Sequence, residues 1–179
     1  MNLNYKHLGM YLVAGVASGL LCYFPLGIID TTNFTPAIIL GIMIFLVGRY
    51  ISGITPRNTW LNPLVLILAC GVGWFLAFQH GVNDGFYIWP VESGVIGGFF
   101  VGIGLVIAWR LKRIWMIIVL TTLAGGLGGL VWGYAFRDFS LWNSFYIEVL
   151  LLEITWPSIL LLGIGVAIQI DSRKSSIEK

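Results

Sequence analysis

Six stretches of this chain stay apolar around their whole circumference for about 20 residues each, and that feature leaves few folds open. They run approximately over residues 8–24, 34–53, 60–79, 89–109, 114–136 and 151–170. A bilayer core about 30 Å thick is crossed by roughly 20 residues at a helical rise of about 1.5 Å, so each stretch is long enough for a transmembrane helix. Strands of a membrane barrel would alternate apolar and polar residues over about ten positions; residues 38–47 and 64–69 do not alternate. Charged residues make up 10% of the chain, against about a quarter in soluble domains, too few to cover a water-facing surface. The expected fold is all-α: a polytopic membrane protein of six transmembrane helices forming one integral membrane domain over residues 1–179, with no soluble module. Connections as short as residues 110–113 make neighbouring helices antiparallel hairpins.

Lys6 precedes the first run as a basic residue precedes a signal sequence, but no small-x-small cleavage site follows Phe24-Pro25-Leu26 and five further spans come after it. The first run is therefore read as a permanent helix. Cys22 and Cys70 fall within spans at opposite levels, which argues against a structural disulfide.

Placing the charges on alternating sides tests the span count. One side receives Lys6, Arg49, Arg57, Arg110, Lys112, Arg113, Arg173, Lys174 and Lys179; the other receives only Arg137. Such asymmetry across short loops is the positive-inside signature, and it puts both termini in the cytoplasm of a multi-pass protein of the cell membrane, inner or plasma. The acids go the other way, with Asp30, Asp84, Glu92, Asp138, Glu148 and Glu153 on or near the outer face. The basic rim needs no nucleic acid to explain it, since topology and anionic headgroups suffice.

The spans also carry a repeat. Even-numbered helices align at an offset of 61 through Gly41-Ile42, Gly102-Ile103 and Gly163-Ile164, with Arg49 and Arg110 answered by Asp171. Odd-numbered helices align at an offset of 55 through Ala14-Gly15, Ala69-Cys70 and Ala124-Gly125. The pattern suggests three tandem helical hairpins with pseudo-threefold symmetry about the membrane normal. The same offset relates Glu92 to Glu153, both near the outer start of an even helix.

These residues frame the candidate site. Carboxylates beside a helix N-terminus complement its dipole, but a carboxylate at the hydrocarbon edge is expensive unless it faces a wet or paired site. Glu92, Glu153 and Glu148 are candidate ligands for a small cation, with Arg137 as their alternative partner. Trp74, Trp132 and Tyr134, with Phe78, lie at a similar depth and suit an aromatic pocket for an organic cation or a flat heterocycle. Trp60, Trp89, Trp142 and Trp156 sit at span ends, as interfacial anchors do. The Gly15/Gly19 and Gly94/Gly98/Gly102 faces suit close helix packing, and Gly125–Gly129 reads either as packing or as a breakable segment. His80 with Asp84 and Glu92 lies in turn-like sequence, so no metal site and no cofactor are expected. Ser93 beside His80 is the one pair resembling a nucleophile with its base, and it lacks a motif.

The reading favoured by these residues is a non-enzymatic small-solute binding or transport component with an outward acidic and aromatic vestibule. Its alternatives are a non-catalytic subunit or scaffold packing through Gly-rich faces against a membrane partner or its own copies, and an intramembrane enzyme. Size, helix count and topology resemble the substrate-capturing components of energy-coupling-factor vitamin transporters. That likeness is architectural, and it implies solute capture from the outer side; the Ala-x-x-x-Ala pattern of their first helix reads Ala14-x-x-x-Ser18 here. The topology is checked with a fluorescent reporter that matures only in the cytoplasm: it should light up fused after Lys179 and stay dark inserted beside Asp84.

Overall fold

Apolar runs become helices here because each closes its own backbone hydrogen bonds, and short polar signals set several of their ends. In a computed structural model, residues 3–26, 34–58, 60–84, 89–137 and 145–173 are described. They form α1 (Tyr5–Leu26), α2 (Thr35–Leu46), α3 (Leu61–Asp84), α4 (Trp89–Ala108), α5 (Ile114–Arg137) and α6 (Phe145–Arg173), with a π-helical turn at Val47–Ile51 continuing α2. Among the described residues there is no strand, and the all-helical class stands.

Asn4 caps α1 by accepting the His7 backbone N–H at 3.2 Å. Asn58 caps α3 by accepting from the N–H groups of Trp60 (3.0 Å) and Leu61 (3.3 Å), while the Asn62 side chain accepts from the Asn58 N–H at 3.1 Å. Such reciprocal caps satisfy donors that a helix start leaves open.

Among the described residues three helices, rather than the expected six, are long and apolar enough to cross a membrane by themselves: Pro90–Ala108, Ile114–Gly133 and Leu150–Ser172. Two shorter apolar helices are also described there, Thr35–Ile51, which includes the π turn, and Leu61–Ala77 within α3.

Each helix packs against its neighbours in sequence, and α6 packs back onto α1, so the six elements close into a ring in chain order. The α4–α5, α1–α6 and α3–α4 seams are the most extensive, and α1–α2 is the thinnest of the ring. One end of the ring is knitted by hydrogen bonds. Asn4 N donates to Gln169 Oε1 at 2.8 Å and Gln169 Nε2 donates back to Asn4 O at 3.2 Å, joining the start of α1 to the end of α6. The Tyr11 and Ser52 hydroxyls meet at 2.7 Å. Arg57 Nε donates to Trp109 O at 3.1 Å, and the buried Trp109 ring fills the place that a side chain at Gly48 would take. Asp171 accepts from Arg113 N at 2.7 Å and Lys112 N at 3.1 Å, capping α5 from α6. That explains why Asp171 replaces the arginine expected from the repeat: a carboxylate suits the positive end of α5. Lys6, Arg49, Arg57, Arg110, Lys112 and Arg113 all belong to this end.

Glycines make the seams. Gly15 lies against the backbone of Pro157 and Ser158, and Gly19 against that of Glu153 and Ile154, where a Cβ would collide. Gly94 meets Gly125, Gly98 meets Thr121, and Gly129 meets the Pro90 carbonyl across the α4–α5 seam. Of the two readings of Gly125–Gly129, packing holds: α5 is continuous across it. Gly41 faces Ile67 on the next helix and Gly102 faces Ile118 on the next, whereas Gly163 turns to Ala124 on the preceding one.

Large apolar side chains line the outside at one-turn intervals, including Leu64, Leu68 and Val72 on α3 and Val119, Leu123 and Leu127 on α5. Among the described side chains of α6, residues 150–172, no large hydrophobic is exposed. Gly19→Ala should destabilise the protein by about 1–3 kcal/mol through overpacking, because its Cβ would meet the Glu153 carbonyl. Gly9→Ala, with open space around it, should stabilise by up to about 1 kcal/mol through helix propensity. Thermal unfolding in detergent reads both.

Candidate functional site

Among the described residues two acids are buried, Asp171 at the hydrogen-bonded end of the ring and Glu153 beside a cavity within it. Glu153 lies one turn inside the apolar stretch of α6 and is 5% exposed. It lines a cavity walled by α1, α2, α3, α4 and α6, together with Ser18, Cys22, Cys70, Trp74 and Trp156. The remaining wall is apolar, from Pro36, Ala37, Leu40, Gly97, Val101 and Pro157. The cavity offers about 10 Å³ to the centre of a water molecule, room for about one water. An organic solute does not fit in this state.

Three local features of α6 build the polar side of this cavity. Pro157 has no N–H, so the Glu153 carbonyl, its usual partner four residues back, loses its helical donor. That carbonyl faces Gly19. Trp156, one turn from Glu153, drives its indole into a notch between α4 and α5: a Cβ at Gly97 would stand 2.7 Å from Cζ2, one at Gly128 3.1 Å from Cδ1, and one at Gly94 3.3 Å from Nε1. The indole N–H is buried without a hydrogen-bond partner.

Hydroxyls in apolar helices usually return to their own backbone. Thr121 donates to Ile117 O at 2.9 Å, Thr122 to Ile118 O at 2.7 Å and Ser158 to Ile154 O at 2.6 Å. Ser18 does not. Its Oγ is fully buried without a hydrogen-bond partner, and the Cys22 thiol one turn along α1 is its polar neighbour. The Glu153 carboxylate lies close enough to that thiol to interact with it electrostatically. Among the described residues no basic side chain pairs with Glu153.

The structure brings together only part of the expected constellation. Glu153 and Trp74 share the cavity wall. Glu92 is exposed on the first turn of α4 and holds an interaction elsewhere, so it does not line this cavity. Trp132 is half-buried, engaged elsewhere and likewise off the wall. The side chains of Glu148, Arg137, Tyr134 and Phe78 lie outside the described residues, as does that of His80. Ser93 donates its hydroxyl to Ala77 O at 2.9 Å.

Two expectations change. Cys22 and Cys70, expected at opposite levels, are free thiols in the wall of one cavity, because counting residues from a span's start fixes depth only when helices start level. Trp156 is a packing residue within the bundle rather than an interfacial anchor, since glycines on two neighbouring helices leave space for its ring. Among the described residues no group of three metal-ligating side chains comes together. Compared with protein families, with curated proteins and with solved structures, the chain matches none.

The signal for the missed residues is one-turn spacing on the inner face. Ser18 and Cys22, Cys70 and Trp74, and Gly97 and Val101 are each four apart, which stacks them on one side of a helix. Trp156→Ala should destabilise by about 3–5 kcal/mol, whereas Trp60→Ala, at an 89% exposed ring, should change stability by under about 0.5 kcal/mol. Detergent unfolding midpoints check the contrast.

Proposed function

We propose that this chain is an integral membrane protein whose six helices all cross the bilayer, with both termini cytoplasmic, and that it binds and passes a small solute through the interior of the ring. The observation that carries this reading is Glu153, a buried carboxylate lining a cavity at the centre of helices whose outer faces are apolar. Acids in such surroundings mark solute or proton pathways by default.

Several features support the six-span arrangement. α1 has 22 residues and α3 has 24, each sufficient in length for a span. Thr35–Ile51 has the minimum length of about 17 residues. All three pack beside the three longer apolar helices in the same ring. The alternation of hairpins puts six described bases at one end, which agrees with a cytoplasmic rim. The threefold pattern belongs to this reading as the remnant of three hairpins, obeyed at Gly41 and Gly102 and lost at Gly163.

The scaffold alternative has less to work with. Its Gly15/Gly19 and Gly94/Gly98/Gly102 faces are occupied by helices of the same chain, so a partner would have to dock on the Leu- and Val-rich outer stripes.

Passage of a solute requires the cavity to open to water, and Cys22 and Cys70 report on that without any substitution. In reconstituted vesicles, a small thiol-reactive methanethiosulfonate carrying an ammonium group should label at least one of them at a measurable rate. Mass spectrometry of the peptides identifies the site. Complete inertness of both thiols in the native protein, with labelling only after denaturation, would overturn the proposal.

A further inference from the structure

The Glu153 carboxyl has no described basic partner, and the cavity beside it is of restricted size. Its chemistry narrows the occupant. The carboxylate disfavours an anion. Room for about one water excludes an organic molecule in this state. A divalent metal would want several charged or soft ligands, and no group of three such side chains forms among the described residues.

What remains is a single small positive charge, and the wall is suited to one. Glu153 supplies two acceptor oxygens and Ser18 Oγ supplies another that no protein donor uses. Trp74 and Trp156 also line the cavity, and indole faces attract cations. Ser18 is the more telling residue, because Thr121, Thr122 and Ser158 all find carbonyl partners while Ser18 is left open at the level of the acid.

We infer that the cavity of Glu153, Ser18, Trp74 and Trp156 is a binding site for one monovalent inorganic cation about the size of a water molecule, either an alkali ion or ammonium. The inference rests on the reading of the cavity as a binding site, and it names the class of its ligand. Glu153 neutralises the ion and Ser18 Oγ coordinates it, with Trp74 and Trp156 among the walls around them.

The test uses the purified full chain in detergent, with thermal stability followed at constant ionic strength as choline chloride is replaced by sodium, potassium or ammonium chloride, and in a separate arm by magnesium chloride. Choline is too large for the cavity and serves as the reference. A saturable rise in unfolding temperature with at least one of the three small cations is expected. Glu153→Gln should abolish it, and Ser18→Ala should raise the half-saturating concentration about tenfold. Glu92→Gln should leave it unchanged. If Glu153→Gln does not fold, Ser18→Ala carries the test.

Arg137 is the rival counter-charge for Glu153. A response that appears only in Arg137→Gln would assign the acid to that arginine and overturn the inference. So would a response only to magnesium, a response retained in Glu153→Gln, or no difference from choline. Thiol labelling without any cation response would discard the ion class and leave the proposed function standing; inert thiols with a cation response would do the reverse.

Discussion

In the membrane setting proposed for this ring, helices gain little from hiding apolar side chains from one another, because acyl chains are just as apolar. What holds this ring is the close approach of backbones, and glycine makes that approach possible. Gly15 and Gly19 let α6 lie against α1, while Gly94, Gly98 and Gly129 bring α4 and α5 into backbone contact. Dispersion across these seams is individually weak and collectively large. Remove one glycine from a seam and two whole helices must separate, which is why these positions govern everything inside the ring.

The same small residues decide where large ones go. Trp156 enters the space left by Gly94, Gly97 and Gly128, and Trp109 enters the space left by Gly48. Each pairing of an absent side chain with a bulky one fixes rotation as well as distance. Seating Trp156 fixes which way α6 turns, and so sets the face on which Glu153, one turn away, is presented. Pro157 adds a freed carbonyl at the same level, so a stretch of only five residues on α6 supplies an acid, an aromatic wall and a disturbed backbone. The opposite end is organised by hydrogen bonds rather than by packing: the side chains of Asp171, Gln169 and Arg57 bind backbone groups of other segments. One end of the ring is thus fastened, and the cavity lies towards the other.

Element type and order were legible in the sequence because an apolar run in lipid has few structures open to it. The end at which the bases gather followed from hairpin alternation. Span competence was less legible. Hydropathy averages along a segment do not register the π turn after Leu46, in which Gly48 lies against the Trp109 ring from across the fold. At the site, Glu153 and Trp74 could be singled out because a carboxylate and an indole at matched depth are conspicuous. Ser18 and Cys22 could not, since small polar residues are common in membrane helices and their meaning depends on whether a partner is present. The expected pairing of Glu92 with Glu153 assumed that equal depth implies a shared surface. Depth is one coordinate of a helix and rotation is another, and the repeat offset constrained only the first.

Ring closure has a consequence for the order of assembly. Contacts between successive helices are local in sequence, but the seam between α1 and α6 joins residues as far apart as Asn4 and Gln169. During synthesis, five largely apolar helices can associate as an open arc before the last one emerges. The acid of the site travels on that last helix, and the walls that receive it already stand on α1 to α4. Glu153 therefore becomes buried only as α6 joins the arc, when the walls of its cavity are already in place.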